Sequence, residues 1–103
     1  MKYVYLILRE QYMPKLNHYT PFGVIDFAFT SEKQAQKQMD TIVELVNQNK
    51  FYSDGEHSID FDKHCVDLRK TSNIKRSIKI NHPNGTYTIF TLQKVELNSG
   101  YGI

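Results

Sequence analysis

The sequence predicts an α+β fold: an antiparallel sheet of four or five strands with one main helix packed on one face. Two observations carry that prediction. Between Ser31 and Asn49, apolar residues recur at spacings of three and four, which is the stripe of an amphipathic helix. Between Ile74 and Leu97, two β-rich runs flank Asn84-Gly85, the strongest short-range hairpin signal. With 103 residues, 40% of them hydrophobic and 23% charged, the chain is expected to form a single domain, residues 1–103, around one core.

Lys2 to Arg9 (KYVYLILR) has almost no polar position and reads as a central strand covered on both faces. Glu10 to Phe22 contains Pro14, Asn17 and Pro21 and reads as a connecting loop. Its Tyr12, Tyr19 and Phe22 form either a recognition tip or a lid over the sheet edge. Gly23 to Phe29 (GVIDFAF) reads as a second strand antiparallel to the first, running straight into the helix. Thr30 or Ser31 supplies the cap, a hydroxyl for a backbone N–H that the first turn leaves without a partner. Ala35, Met39, Ile42, Val43 and Val46 form the stripe, while Glu32, Lys33, Gln36, Lys37, Gln38 and Asp40 fill the wet side. Asp54-Gly55 marks a turn. Beyond it a short strand or irregular piece holds Ile59 and Phe61, and a helical turn is expected near Asp62 to Leu68.

For the hairpin, a two-residue turn at Asn84-Gly85 sets Ile80 opposite Ile89, Ile78 opposite Thr91 and Ile74 opposite Val95, an apolar face for the core. The other face then carries Lys79 opposite Phe90, Ser77 opposite Leu92 and Lys75 opposite Lys94. Asn98 to Ile103 reads as a frayed tail.

Charge is segregated along the chain. Arg69, Lys70, Lys75, Arg76, Lys79 and Lys94 fall in a stretch without acidic residues, and Asp54, Glu56, Asp60, Asp62 and Asp67 precede it, so a net charge of +2 conceals a basic C-terminal third. Lysines that pair with phosphates beside an aromatic ring that stacks on a base are the parts of a single-strand binding surface. Phe90 or Tyr87 is the ring available here. The competing expectation is that the helix or the acidic segment covers this face and neutralises it.

Other chemistries have weaker sequence support. His57, His64 and Cys65 with Asp60, Asp62 and Asp67 make one half-cluster of metal ligands, without the doubled spacing of a zinc site or the Gly and terminal Glu of a calcium loop. Cys65 beside His64 is badly placed for thiol activation and reads as a small buried hydrophobe. No catalytic motif, metal or cofactor is expected. Met1 to Leu8 lacks the features of a secretory signal, no run is long enough for a membrane span, and a lone cysteine fits a reducing compartment. A cytoplasmic protein without membrane contact is expected.

Finally, KYVYLILRE, then VIDFAF, then TSEKQAQKQM resembles small uncharacterised proteins of phages and mobile elements, over roughly residues 2 to 46. An excess of Lys, Ile, Asn and Tyr over Ala agrees with an AT-rich genome. The resemblance implies a setting, a bacterial host in which small non-enzymatic inhibitors of defence systems are common, and carries over no site residue. The expectation is an anti-CRISPR-like inhibitor that binds a host protein or nucleoprotein complex through Arg69, Lys70, Lys75, Arg76, Lys79, Phe90 and Lys94. The alternative is a nucleic-acid-binding module using the same cations.

Overall fold

The computed structural model of the chain describes residues 2–13, 18–19, 24–63 and 73–97. They form six strands and one helix: β1 (Lys2–Met13), β2 (His18–Tyr19), β3 (Val24–Phe29), α1 (Glu32–Asn47), β4 (Ser58–Lys63), β5 (Ile74–Asn81) and β6 (Tyr87–Leu97). The α+β prediction holds. All pairings are antiparallel, in the order β2-β1-β6-β5-β4, with β3 beside β2 on the same flank of β1. β1 is central, as its uninterrupted apolar run implies, but it extends to Met13, so the expected loop after Arg9 begins four residues late. Glu10, Gln11 and Tyr12 stay in the strand because Ile89, Thr88 and Tyr87 of β6 pair with them.

The helix begins where the sequence places it. Ser31 is the N-cap, with φ −125° and ψ 130°, and its Oγ accepts from the N–H of Gln34 at 3.4 Å. The helix ends in a Schellman motif. Asn49 takes the left-handed conformation (φ 58°), its N–H donates to Val46 O, and Lys50 N–H donates to Leu45 O. Ala35, Met39, Ile42 and Val46 are fully buried and pack on Ile7, Ile78, Ile80, Phe90 and Leu92 of the sheet. Burial of each large side chain in this layer contributes about 1.5–3 kcal/mol.

The hairpin corrects the expected register. Gly85 N–H donates to His82 O, His82 N–H donates to Thr86 O, and Gly85 has φ +87° while Asn84 does not have positive φ. Pro83 and Asn84 are therefore the central residues of a turn closed onto His82, and Gly85 is the left-handed residue after it. Proline's fixed φ suits the first central position. The loop thus has three residues instead of two, and the oppositions from Arg76 to Asn81 move by one, while the bulge before Arg76 moves Ile74 by two, from Val95 to Gln93. Ile80 faces Thr88, Ile78 faces Phe90, Arg76 faces Leu92 and Lys79 faces Ile89. A one-residue shift sends a strand's side chains to the opposite face. Phe90 and Leu92, expected on the outer face, lie under α1 instead.

Ser58 to Lys63 is a strand, one of the expected alternatives for Ile59 and Phe61, and it takes in Asp62 and Lys63, where the helical turn is expected to begin. The remainder of that turn, Arg69, Lys70 and the Asn98 to Ile103 tail lie outside the described residues.

Candidate functional site

The shifted register splits the expected row of cations between the two faces of the sheet. Arg76 shares its face with Ile78 and Ile80 and meets the helix. Its Nε and Nη2 donate to Asp62 Oδ1 and Oδ2 of β4 at 2.7 and 2.9 Å, and its Nη1 donates to Asp40 Oδ1 of α1 at 2.7 Å. Nη1 also donates to Gln36 Oε1 at 3.2 Å. The planar fork of a guanidinium matches a carboxylate in two parallel bonds, which an ammonium cannot do. The Asp62 hydrogen bonds, followed by those of Asp40, outweigh desolvation and raise the Arg76 pKa above its ordinary value. Arg76 therefore ties β5 to β4 and to α1, with a side chain only 13% exposed.

Lys94 also lies on the helix side, where its Nζ sits 3.9 Å from the centre of the Tyr3 ring. Lys79 is on the opposite face, with Nζ 3.3 Å from Asp60 Oδ2 and 4.4 Å from the centre of the Tyr87 ring. Phe90 is 1% exposed and meets Phe51 edge-on, so it has no face to offer a base. Lys75 lies at the bulge where β5 shifts register against β6, with neither an acidic nor an aromatic partner among the described residues. For the described cations the expectation of an open basic face is corrected: Asp62 and Asp60 fold back onto Arg76 and Lys79, and Tyr3 takes Lys94. Opposite charges lower their free energy by pairing, and aromatic faces attract the cations that remain.

The face turned away from α1 has a different character. Alternation places Val4, Leu6 and Leu8 of β1 beside Ile89 and Val95 of β6 there, all half-buried. Tyr12 and Tyr87 lie across the same strand pair with ring centres 5.0 Å apart. The core layer of α1 packs on the other side, yet this face is not open to solvent: its Glu10, Ser77 and Thr91 are 5%, 5% and 4% exposed.

A second assembly joins the loop after α1 to the hairpin tip. Asp54 Oδ1 lies 2.8 Å from His57 Nε2, His57 Nδ1 lies 2.7 Å from His82 Nδ1, and His82 Nε2 lies 2.6 Å from Thr88 Oγ1. In the neutral pair the Asp54 carboxylate takes the N–H of His57, leaving a lone pair on Nδ1. His82 then donates Nδ1–H to that lone pair and accepts the Thr88 hydroxyl at Nε2. The Tyr52 ring stacks on His57 at 4.5 Å and meets His82 edge-on at 4.9 Å. Desolvation, followed by the charge of His57, lowers the His82 pKa; the His57 hydrogen bond lowers that of Asp54; burial raises that of Tyr52. Gly55 (φ +127°) allows the close approach, since a Cβ there would come within 3.0 Å of Pro83 Cγ. The chain ends on Thr88, which is 0% exposed, so this geometry serves as a clasp between two loops.

Sequence reasoning missed both assemblies in part. Arg76 shares its alternation parity with Ile78 and Ile80, a signal that places it on the helix side. For His57 and His82, 25 residues apart, no local spacing announces the contact. Of the half-cluster of metal ligands, His64, Cys65 and Asp67 lie outside the described residues, and among the described residues no three candidate ligands converge. Compared with protein-family models, curated proteins and solved structures, the chain matches none.

Proposed function

We propose that this chain is a small non-enzymatic binding protein, an accessory protein of a phage or mobile element that inhibits a host defence nucleoprotein by occupying a protein surface. The observation that supports this reading is the half-buried apolar and aromatic cluster of Leu6, Leu8, Ile89 and Tyr87, on the side of the sheet away from the α1 core layer. Aromatic and aliphatic side chains rimmed by a few charges are the composition of an interface core, and tyrosine presents a large contact area at small entropic cost. Lys79, held over Tyr87, places one cation at its border. Contact through the basic hairpin has less support, because Arg76, Lys79 and Lys94 already hold partners within the chain.

The test is affinity capture from host lysate with and without nuclease, paired with an inhibition assay on the captured complex. Capture that survives nuclease, is lost in Leu8→Lys and accompanies inhibition supports the reading. Capture that nuclease abolishes transfers the function to nucleic-acid binding, and failure to inhibit any defence complex of the host ends the proposal.

A further inference from the structure

The sheet has two outer flanks, and they are not equally defended. An open strand edge is a template for pairing with another chain, and proteins blunt it with charges, bulges and prolines. β4 carries Asp60, Asp62 and Lys63 within six residues. β3, VIDFAF, carries a single charge, and that charge is occupied: Asp26 Oδ2 lies 3.0 Å from Arg9 Nε. The Nε–H is not aligned on the carboxylate, so this contact is Coulombic and not a hydrogen bond. Val24 and Ile25 are 47% and 59% exposed, and Ala28 is exposed as well. Among the described residues β3 pairs with β1 alone. Every second residue of an antiparallel strand turns both its N–H and its C=O to the same side, so the outer side of β3 presents donors and acceptors spaced for another strand.

We infer that β3 is a pairing strand and that its occupant is the β3 of a second copy of this chain, antiparallel about a two-fold axis through Ala28. Such an axis sets Phe27 of each copy opposite Phe29 of the other. Both rings lie on the α1 side, stacked at 6.2 Å within one chain, so the pairing extends the aromatic layer across the junction. Asp26 falls opposite Thr30, and no carboxylate meets a carboxylate. The same operation on β4, about Phe61, would set Asp60 against Asp62. The bulge that opposes Ile25 and Asp26 to Leu8 falls at the end of the paired stretch, where it costs the junction little. A two-fold axis normal to the sheet keeps both helices on one side of the extended sheet.

Sedimentation equilibrium over a concentration series, on the full chain, tests this. The wild type is expected to dimerise, Ala28→Lys to become monomeric with an unchanged circular dichroism spectrum, and Glu44→Lys, an exposed helix position, to dimerise as the wild type does. In a Cys65→Ser background, Ala28→Cys is expected to form an intermolecular disulfide on mild oxidation, because the two cysteines would face each other at the axis. A wild type that stays monomeric up to its solubility limit overturns the inference. So does a dimer indifferent to Ala28→Lys, or a monomer whose β3 edge takes up an extended peptide of foreign sequence. None of these outcomes depends on the face of Leu6, Leu8 and Ile89, which Leu8→Lys tests separately.

Discussion

Arg76 shows how one side chain changes meaning with its surroundings. In sequence it belongs to a basic run; in the fold it is a bracket between β4, β5 and α1, with its donors directed at Asp62, Asp40 and Gln36. Arg76→Met should cost about 1.5–3 kcal/mol in urea denaturation, the range for hydrogen bonds to charged groups, since it leaves two carboxylates without their partner. A change within error would show that the bracket holds nothing. The histidine clasp makes a prediction with a definite sign. His82 has a lowered pKa in the folded protein, so the unfolded chain binds a proton that the folded chain resists. Stability is complete above the ordinary imidazole value of 6.5 and falls as pH drops below it toward the folded value. Asp54 adds a loss in the same direction further into acid, below its ordinary 3.8. Urea midpoints measured across this range should decline in the wild type and flatten in His82→Gln through the imidazole window; equal slopes would contradict the clasp.

At the scale of elements, the helix was legible because its stripe, its Ser31 cap and its end near Asn49 all point the same way. The antiparallel strand Val24 to Phe29 was legible for the same reason. The hairpin was legible in existence but not in register. Asn84-Gly85 reads as a two-residue turn only if Pro83 is ignored, and Pro83 is what moves the turn one residue earlier and leaves Gly85 as the left-handed residue. Glu10 to Met13 was read as a loop from its downstream prolines, whereas its strand state comes from long-range pairing with β6, which no local propensity reports. Gly85 should therefore be the sensitive turn position. Gly85→Ala places no atom in a clash, yet it forces φ +87° on a residue with a Cβ, at about 1–2 kcal/mol. Thermal denaturation checks this, with Gly85→Asn expected to be milder and Asn84→Ala tolerated, since Asn84 does not have positive φ; a loss at Asn84→Ala as large as at Gly85→Ala would mean that the loop has only two residues.

For the whole molecule, the one-residue shift decides what the charges do. In the expected register the lysines and Phe90 line a single face; in the observed one Lys94 faces the helix side, Lys79 faces the opposite side and Phe90 enters the core. The candidate site was thus legible as a set of residues and illegible as a surface, because surface follows from register and register from one proline. Six phosphate contacts would give a slope of about −5 in log affinity against log salt for duplex DNA, whereas with Arg76, Lys79 and Lys94 held by partners within the chain at most three remain, for about −3. A fluorescence titration of the purified chain with duplex DNA should find weak binding with the shallow slope; a slope near the larger value would restore the basic face.

The most direct test is the nuclear Overhauser pattern of the Phe90 ring. The account predicts cross-peaks to the Phe51 ring and to methyl groups of the α1 core layer, with Ile78 as the residue across the strand. Cross-peaks to the side chains of Lys79 and Lys75, with none to the helix, would contradict it.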